Sequence, residues 1–581
     1  MKMFLSCATV AVAAALFAES VPDTVRPAPA RRVTILHTND SHTHADDGVV
    51  PFSEIAALKH QLQRKGENVV LVDAGDHVQG TALGGYDEGR SIIDIMSAAG
   101  YDAATLGNHE FDYGIATLFR NLAAAKFPST SCNLIHRSTA TDAGQLVLPS
   151  YLVVTSGTVR VGFVGVTTPT AVVSAKPSTF LDKTRTFRAY DFLSGDDGRA
   201  LYRAVQTAID AAAAASDFVV VLSHLGVEPD CVPYRSTDVI AHTTNAVAFI
   251  DGHSHSEYTG SRVKNAVGQD VILTQSGSYL GILGSLTVED GRVVSAGTVY
   301  SSGEKEPAVA ALEKKLIDAV ERKLGEKLAE ATTTLYAYAP NSTERLSRSQ
   351  ECSAGDFAAD AYWWYATEKK GLNCDFALLN GGNVRADIPK GPVSFKTLRT
   401  VQPFAGDVAV VEVNGRQVLD ALEFGAAVAG KGESGGFLQV AGLKYAIDTE
   451  TPCTLGTDAT GSWIAGPSNG VYRVRDVQVY DRTSGSFRPL ELNGVYRVTG
   501  STFTLVEGGD GFAMFRSARL VNNAIGLDYL VLADYAKAFK TTDGLPCLSS
   551  AAAPLAAYPN YLLAYERAAG SGRIIVGKKN E

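Results

Sequence analysis

Val33-Thr34-Ile35-Leu36-His37-Thr38-Asn39-Asp40-Ser41-His42 reads as an apolar strand running straight into a group of metal-ligating residue types. Four other apolar runs end the same way. Residues 69–72 precede Gly75-Asp76, and residues 103–106 precede Gly107-Asn108-His109-Glu110. Residues 218–222 lead into Ser223-His224, and residues 248–250 into Gly252-His253-Ser254-His255. Strands that all terminate in Asp, Asn or His place oxygen and nitrogen donors at strand ends, which is what a pair of divalent cations needs.

Between these ends strand and helix alternate. Residues 53–64 space Ile55, Leu58 and Leu62 at helical intervals, and residues 201–215 are Ala-rich without Gly or Pro. Further strands fall at 159–166 and 271–274. This alternation predicts an α/β layered domain. Residues 306–331 then read as one long helix, because Val309, Leu312, Leu316, Val320, Leu324 and Leu328 recur every three or four residues. Such a helix either connects two domains or packs on the surface of the first. From about residue 342 a second region begins, with a helix at 354–368 and strands at 376–379, 408–413, 438–447, 471–480 and 496–502. Asn414-Gly415 and Asn493-Gly494 are the expected tight turns between strands. The predicted division is a signal peptide at 1–18, a catalytic domain at 32–303, a linker helix at 304–341 and a C-terminal substrate-binding domain at 342–581.

A chain of 581 residues, 45% hydrophobic and 20% charged, is an ordinary globular composition for more than one domain. The net charge of -10, with no block of Lys and Arg, argues against nucleic-acid polymers and anionic membranes as partners. Lys2 followed by the apolar run 3–17 reads as an export signal ending at Ala18, too short to span a bilayer, with a retained anchor as the alternative. Export places the mature chain in a periplasm or outside the cell, without a transmembrane anchor. Six cysteines follow the signal, and the sequence does not say whether they pair. None forms a C-x-x-C pair, which disfavours a thiolate metal site. Oligomeric state is not encoded in any readable pattern.

The polar strand ends divide into roles by residue type. Asp40 and His42 are two residues apart, so in an extended stretch both side chains reach one ion. Asp76, with Gly75 before it, is suited to bridge two ions. Asn108 adds a carbonyl ligand, and His224, His253 and His255 add imidazoles. Any one of these alone is more often a hydrogen-bonded structural residue; five such motifs in order are not. His109 follows Asn108 directly and is expected to point away from the ion that Asn108 holds. Asp112 is placed to orient His109 as a general acid or charge stabiliser, or to cap a helix beginning near Tyr113. His37, His44 and His77 are structural or supporting candidates.

The second region offers Asn380-Gly381-Gly382-Asn383-Val384-Arg385 at the end of a strand. The glycines admit a ligand to the backbone, and Arg385 and Arg348 carry guanidinium forks for a phosphate. Asp510, in Gly508-Gly509-Asp510-Gly511-Phe512, is a hydrogen-bond acceptor for a ribose, and Phe404 is a stacking ring. By residue type alone these are ordinary turns, a surface Arg and a core Phe.

Thr38-Asn39-Asp40, Asp73-Ala74-Gly75-Asp76, Gly107-Asn108-His109-Glu110-Phe111-Asp112 and Gly252-His253-Ser254-His255 resemble the calcineurin-like metallophosphoesterase signature. In particular they resemble the 5′-nucleotidase family, which includes bacterial UDP-sugar hydrolases and animal ecto-5′-nucleotidases. The resemblance covers nearly the whole mature chain. It implies an α/β fold in which a four-layer αββα metallophosphoesterase domain is joined by a helix to a second, mixed α/β nucleotide-recognition domain. It implies two divalent metal ions, with Zn, Mn or Co foremost. Asp40 and His42 would hold one ion, Asp76 the bridge, and Asn108, His224 and His253 the other. His255 stands where relatives carry Asn or Gln as a ligand of the first ion. His109 and Asp112 match the catalytic pair, and Arg348, Asn380, Gly382, Arg385, Phe404 and Asp510 fall on substrate-binding positions. Asn383 replaces a usual third Gly. A second stacking ring is expected six residues before Asp510, where this chain has Thr504, with Phe503 one residue earlier. Either the loop carries one extra residue, or one ring alone holds the base.

The implied activity is release of phosphate from nucleotides, with nucleotide sugars and nucleoside di- and triphosphates as further substrates. The rivals on the same scaffold are a 2′,3′-cyclic nucleotide phosphodiesterase/3′-nucleotidase, a thiosulfohydrolase-like enzyme, and a non-catalytic surface binding protein.

Overall fold

The computed structural model describes residues 31–578 except 46, 138–141, 183–186, 196 and 459. The expected export signal lies outside the described residues.

Two six-stranded sheets form the centre of the first half. In the first, Arg32–Thr38 lies between Leu283–Glu289, antiparallel, and Val69–Asp73, parallel; Ala103–Thr105 continues the parallel run. In the second, Phe218–His224 lies parallel to both Ala246–Ile250 and Val159–Thr167. Alternation along each strand sends one set of side chains inward between the sheets. Val33, Ile35, Val70 and Val72 face Phe163, Val220, Leu222 and Ile250 there, all fully buried. Burial of each such side chain is worth roughly 1.5–3 kcal/mol. The opposite set meets helices. Ile55 of Phe52–Arg64 and Ile92, Ile95 and Met96 of Arg90–Ala99 cover the first sheet. Leu201, Val205 and Ile209 of Arg199–Ala215 cover the second. The four-layer αββα order follows. All strand C-terminal ends that carry Asp, Asn or His open at one edge of this sandwich.

Pro307–Leu324 is a helix, shorter than the sequence predicts. It stops at Gly325, and Lys327–Ala331 is a strand that pairs with Gly391–Ser394 and Leu545–Leu548 of the second half. Leu328 is therefore buried as part of a strand, not by helical spacing. Val309 and Val320 pack the helix onto the first half, so the crossing between the halves is a short turn.

The second half is built on a five-stranded sheet of order Leu438–Ala441, Phe376–Asn380, Val495–Ser501, Asp407–Asn414 and Arg519–Leu527. The single strand expected at 438–447 is two, broken at Gly442 with φ +72°. Asn414-Gly415 is not a hairpin turn. Asn414 caps the helix Gly415–Gly425: its side chain accepts from Gln417 N, and the Gln417 side chain accepts from Asn414 N, both at 2.9 Å. Asn followed three residues later by Gln is a helix-start signature, and it outweighs the turn preference of Asn-Gly. Asn493-Gly494 does form a turn, closed by Gly494 N donating to Glu491 O. Among the described residues Cys132, Cys231, Cys352, Cys374, Cys453 and Cys547 form no disulfide.

Candidate metal centre and the adjoining cleft

Seven candidate ligands converge at the open edge of the sandwich. Asp40, His42 and His255 form one cluster and Asp76, His224 and His253 another, and His42, Asp76 and His109 form a third group that overlaps both, each with ligand atoms within 4.8 Å. Asp76 Oδ2 lies 3.0 Å from His224 Nε2 and 3.8 Å from His42 Nε2, so one carboxylate serves both groups. Asn108 Oδ1 is 2.8 Å from His253 Nδ1.

The backbone, not side-chain alternation, brings them together. Asp40, His42, Asp76, His253 and His255 all have positive φ, from 43° to 79°. Such conformations are costly for residues with a Cβ and persist only where the surroundings enforce them. The extended geometry expected for Asp40 and His42 is thus replaced by two left-handed kinks. Hydrogen bonds fix the kinks: Asp40 N donates to Gly75 O at 2.9 Å, His42 N to Asp76 O at 3.0 Å, and Tyr279 N to Asp40 O at 2.8 Å. Glu110 secures the neighbouring loops, accepting from Asp76 N at 2.9 Å, His77 N at 2.8 Å and Gly107 N at 2.6 Å. Gly107 allows this contact, since a Cβ there would sit 2.2 Å from Asp76 Oδ1.

The donor set fits cations. His42 Nδ1 and His224 Nδ1 each sit 2.7 Å from a main-chain carbonyl, of Gln79 and Ala74 respectively. A carbonyl only accepts, so both Nδ1 atoms carry a proton and both Nε2 atoms face the cluster, the orientation of metal-bound imidazoles. His224 Nε2 is buried against the Asp76 carboxylate. His42 Nε2 lies 3.1 Å from His255 Nε2. Burial pushes the Asp40 carboxyl up to about 7 and the His253 imidazole down to about 3. Acceptors packed against acceptors in a dry site are stable when positive charge sits among them.

His109 is beside this cluster, its ring 5.2 Å from that of His42. His109 Nδ1 is 2.6 Å from Asp112 Oδ2. Asp112 does not cap the following helix, Ile115–Ala124, which is entered through Gly114; its N–H instead closes the short 3-10 turn His109–Phe111.

A cleft of about 440 Å3 runs from Asp76, Asn108 and His109 into the second half. Arg348, Asn380, Gly382, Arg385, Phe404, Phe503 and Asp510 all line it. Arg385 Nη2 reaches within 3.4 Å of His42 Nε2, which places a guanidinium at the ligand cluster. Burial, with Arg345 and Arg385 close by, lowers the Arg348 guanidinium to about 10. Crowded guanidinium groups of this kind favour an anion between them. Phe404 sits near His109, with ring centres 5.9 Å apart.

Residues Phe503–Glu507 form a π-helical turn, closed by Gly508 N donating to Phe503 O. The wider turn takes up one residue. Thr504 points inward, fully buried and donating to Asn380 Oδ1 at 3.2 Å, while Phe503 lines the cleft. The Phe503 ring lies against Gly509, where a Cβ would fall 2.3 Å from it.

Arg345 and Phe424 also line the cleft and are not apparent from the sequence motifs. Arg345 is ion-paired to Glu433, and its spacing of three from Arg348 was the available signal. Phe424 comes from the helix Gly415–Gly425, where nothing distinguishes it from a core residue.

Two family models match the chain: calcineurin-like phosphoesterase over residues 33–257, and 5′-nucleotidase C-terminal domain over residues 327–517. The chain belongs to the 5′-nucleotidase family. It is 26% identical over 551 residues to the snake venom 5′-nucleotidase of Naja atra, covering 87% of this chain and 96% of that one. The 5′-nucleotidase of Bos taurus is 27% identical over 552 residues, covering 87% and 88%. A solved structure, the 5′-nucleotidase precursor from Thermus thermophilus, superposes with a TM-score of 0.73 at 26% identity, covering 94% of this chain and all of that one. The calcineurin-like fold uses two divalent metals, in agreement with the paired clusters found in this 5′-nucleotidase family member.

Proposed function

We propose that this chain is an exported two-metal nucleotide phosphohydrolase, a 5′-nucleotidase whose phosphate subsite is the Asp40–His255 cluster and whose base subsite is the pair Phe404 and Phe503. The observation that carries the reading is a single cleft lined both by the candidate ligands Asp76, Asn108, His253 and His255 and by the rings of Phe404 and Phe503.

Asp40, His42 and His255 would hold one divalent ion, Asn108, His224 and His253 the other, with Asp76 shared. Bound there, the ions would neutralise phosphoryl charge and lower the pKa of an attacking water. The side chains do the rest. Arg385, at the cluster, and Arg348 orient the phosphate. Asp112 holds the proton on His109 Nδ1 and fixes the ring, so that the other nitrogen faces the phosphoryl group and stabilises charge on the leaving oxygen. Phe404 and Phe503 stack the base, and Asp510 accepts from the ribose. No covalent phosphoenzyme is required. Export rests on residues 1–18; among the described residues no helix is long and apolar enough to cross a membrane.

The test is to strip and restore Zn, Mn and Co in the purified mature chain and assay AMP, ATP, UDP-glucose, 2′,3′-cyclic AMP and a generic phosphodiester. Metal-dependent phosphate release from AMP is the expected result. Turnover of the cyclic substrate alone, or none with any metal, would overturn the reading.

A further inference from the structure

The stacking ring Phe404 stands on a loop that is neither helix nor strand. Pro403 precedes it, and Ala405 follows in the left-handed region at φ +50°. A side chain on such a loop keeps its position only if something behind the loop holds it. Asp528 does so. Gly406 N donates to Asp528 Oδ2 at 3.0 Å, and Asp528 N donates back to Gly406 O at 2.9 Å. Asp528 is 1% exposed, and its other oxygen accepts from Tyr529 N at 2.6 Å. Beside it, the Arg399 guanidinium lies over the Tyr529 ring at 4.7 Å and donates to Gly85 O of the first half at 3.3 Å. The same corner thus holds the loop and touches the opposite domain.

We propose that Asp528 is a positioning residue for base recognition: by clamping Gly406 it fixes the ring of Phe404 at the height at which a nucleobase stacks. This rests on the nucleotidase reading above, and it adds a residue of the cleft wall that stands outside the candidate metal-ligand and phosphate-binding sets. A residue acting only through Phe404 matters for substrates that carry a base and not for those that lack one.

The experiment compares AMP with p-nitrophenyl phosphate on the metal-loaded enzyme. Asp528→Ala is expected to raise KM for AMP about tenfold, the scale of losing much of one base-stacking contact. Turnover of p-nitrophenyl phosphate should change less than twofold, which also reports that the variant is folded. Asp528→Asn offers one acceptor oxygen to two N–H donors and should shift KM for AMP in the same direction by a few-fold; it decides the matter if the Ala variant does not fold. In a Phe404→Ala background, Asp528→Ala should add nothing. An unchanged KM for AMP, or equal losses on both substrates, overturns the proposal. If Phe404→Ala alone raises KM for AMP while the Asp528 variants do not, the nucleotidase reading stands and this inference falls. If wild-type enzyme does not turn over AMP, both fall.

Discussion

Tyr279 of the first half and Tyr338 of the second meet hydroxyl to hydroxyl at 3.1 Å. Tyr279 has φ +59° and packs its ring on those of His42, His44 and His255; Tyr338 also donates to Arg385 O at 3.3 Å. The contact joins the ligand cluster of one domain to Arg385 of the other. Tyr338→Phe keeps the ring and removes the hydroxyl. A lost hydrogen bond of about 1 kcal/mol predicts a KM for AMP raised about fivefold, with Tm nearly unchanged. Steady-state kinetics and a thermal scan check this.

His255 puts an imidazole in the ligand group of Asp40 and His42. Replacing it with the harder oxygen donor, His255→Gln, is expected to keep activity and shift metal preference from Zn or Co toward Mn. Titrating the metal-free variant with each ion, and measuring bound metal, decides the outcome; an unchanged preference order would rule His255 out as a ligand.

The pair His109 and Asp112 should matter for turnover and not for metal loading. His109→Ala is expected to lower kcat by about 10²–10⁴-fold and Asp112→Asn by less, with bound metal per chain unchanged. Loss of metal along with activity would make His109 a ligand instead.

Asp510 gives a pH signature in the metal-free protein. Burial pushes its carboxyl from 3.8 up to about 6, against the donation it accepts from Asn380 Nδ2 at 2.8 Å. A carboxyl raised on folding contributes stability that is complete below pH 3.8 and is lost as pH rises through about 6. Asp510→Asn removes that dependence. The variant should match wild type near pH 4 and exceed it by about 2 kcal/mol at pH 7.5 in denaturant unfolding, while KM for nucleotides rises.

Gly509 has ordinary φ, so Gly509→Ala acts by volume alone. Its Cβ displaces the Phe503 ring. The expected result is a several-fold rise in KM for AMP with little change for p-nitrophenyl phosphate.

Much of this architecture was legible because strand ends carry chemistry in a short, ordered code. Five runs of Val, Ile, Leu, Phe and Ala gave the strands, and the polar residues after them gave the ligand cluster. The extent of the connecting helix was not legible, since Leu328 satisfies a helical spacing of four and a buried strand position equally well; Gly325 is what separates them. Asn414-Gly415 misleads because a cap and a turn use the same residues for the same reason, a short side chain that bonds to nearby main chain. The left-handed kinks at Asp40 and His42 have only a weak signature in residue type, because Asp and His enter that region more readily than most residues with a Cβ but far less readily than Gly. Phe424 and Arg345 enter the cleft through tertiary placement, which local pattern does not carry.

The widened turn at Phe503–Glu507 makes the length of this segment negotiable. Chains that gain or lose one position here can keep an aromatic side chain over the same spot by converting between a five-residue and a four-residue coil, without disturbing Asn380 or Asp510. Counting backwards from the glycine-rich loop therefore misplaces the ring in such homologues, and an alignment of this region needs the hydrogen-bond pattern of the coil as its guide.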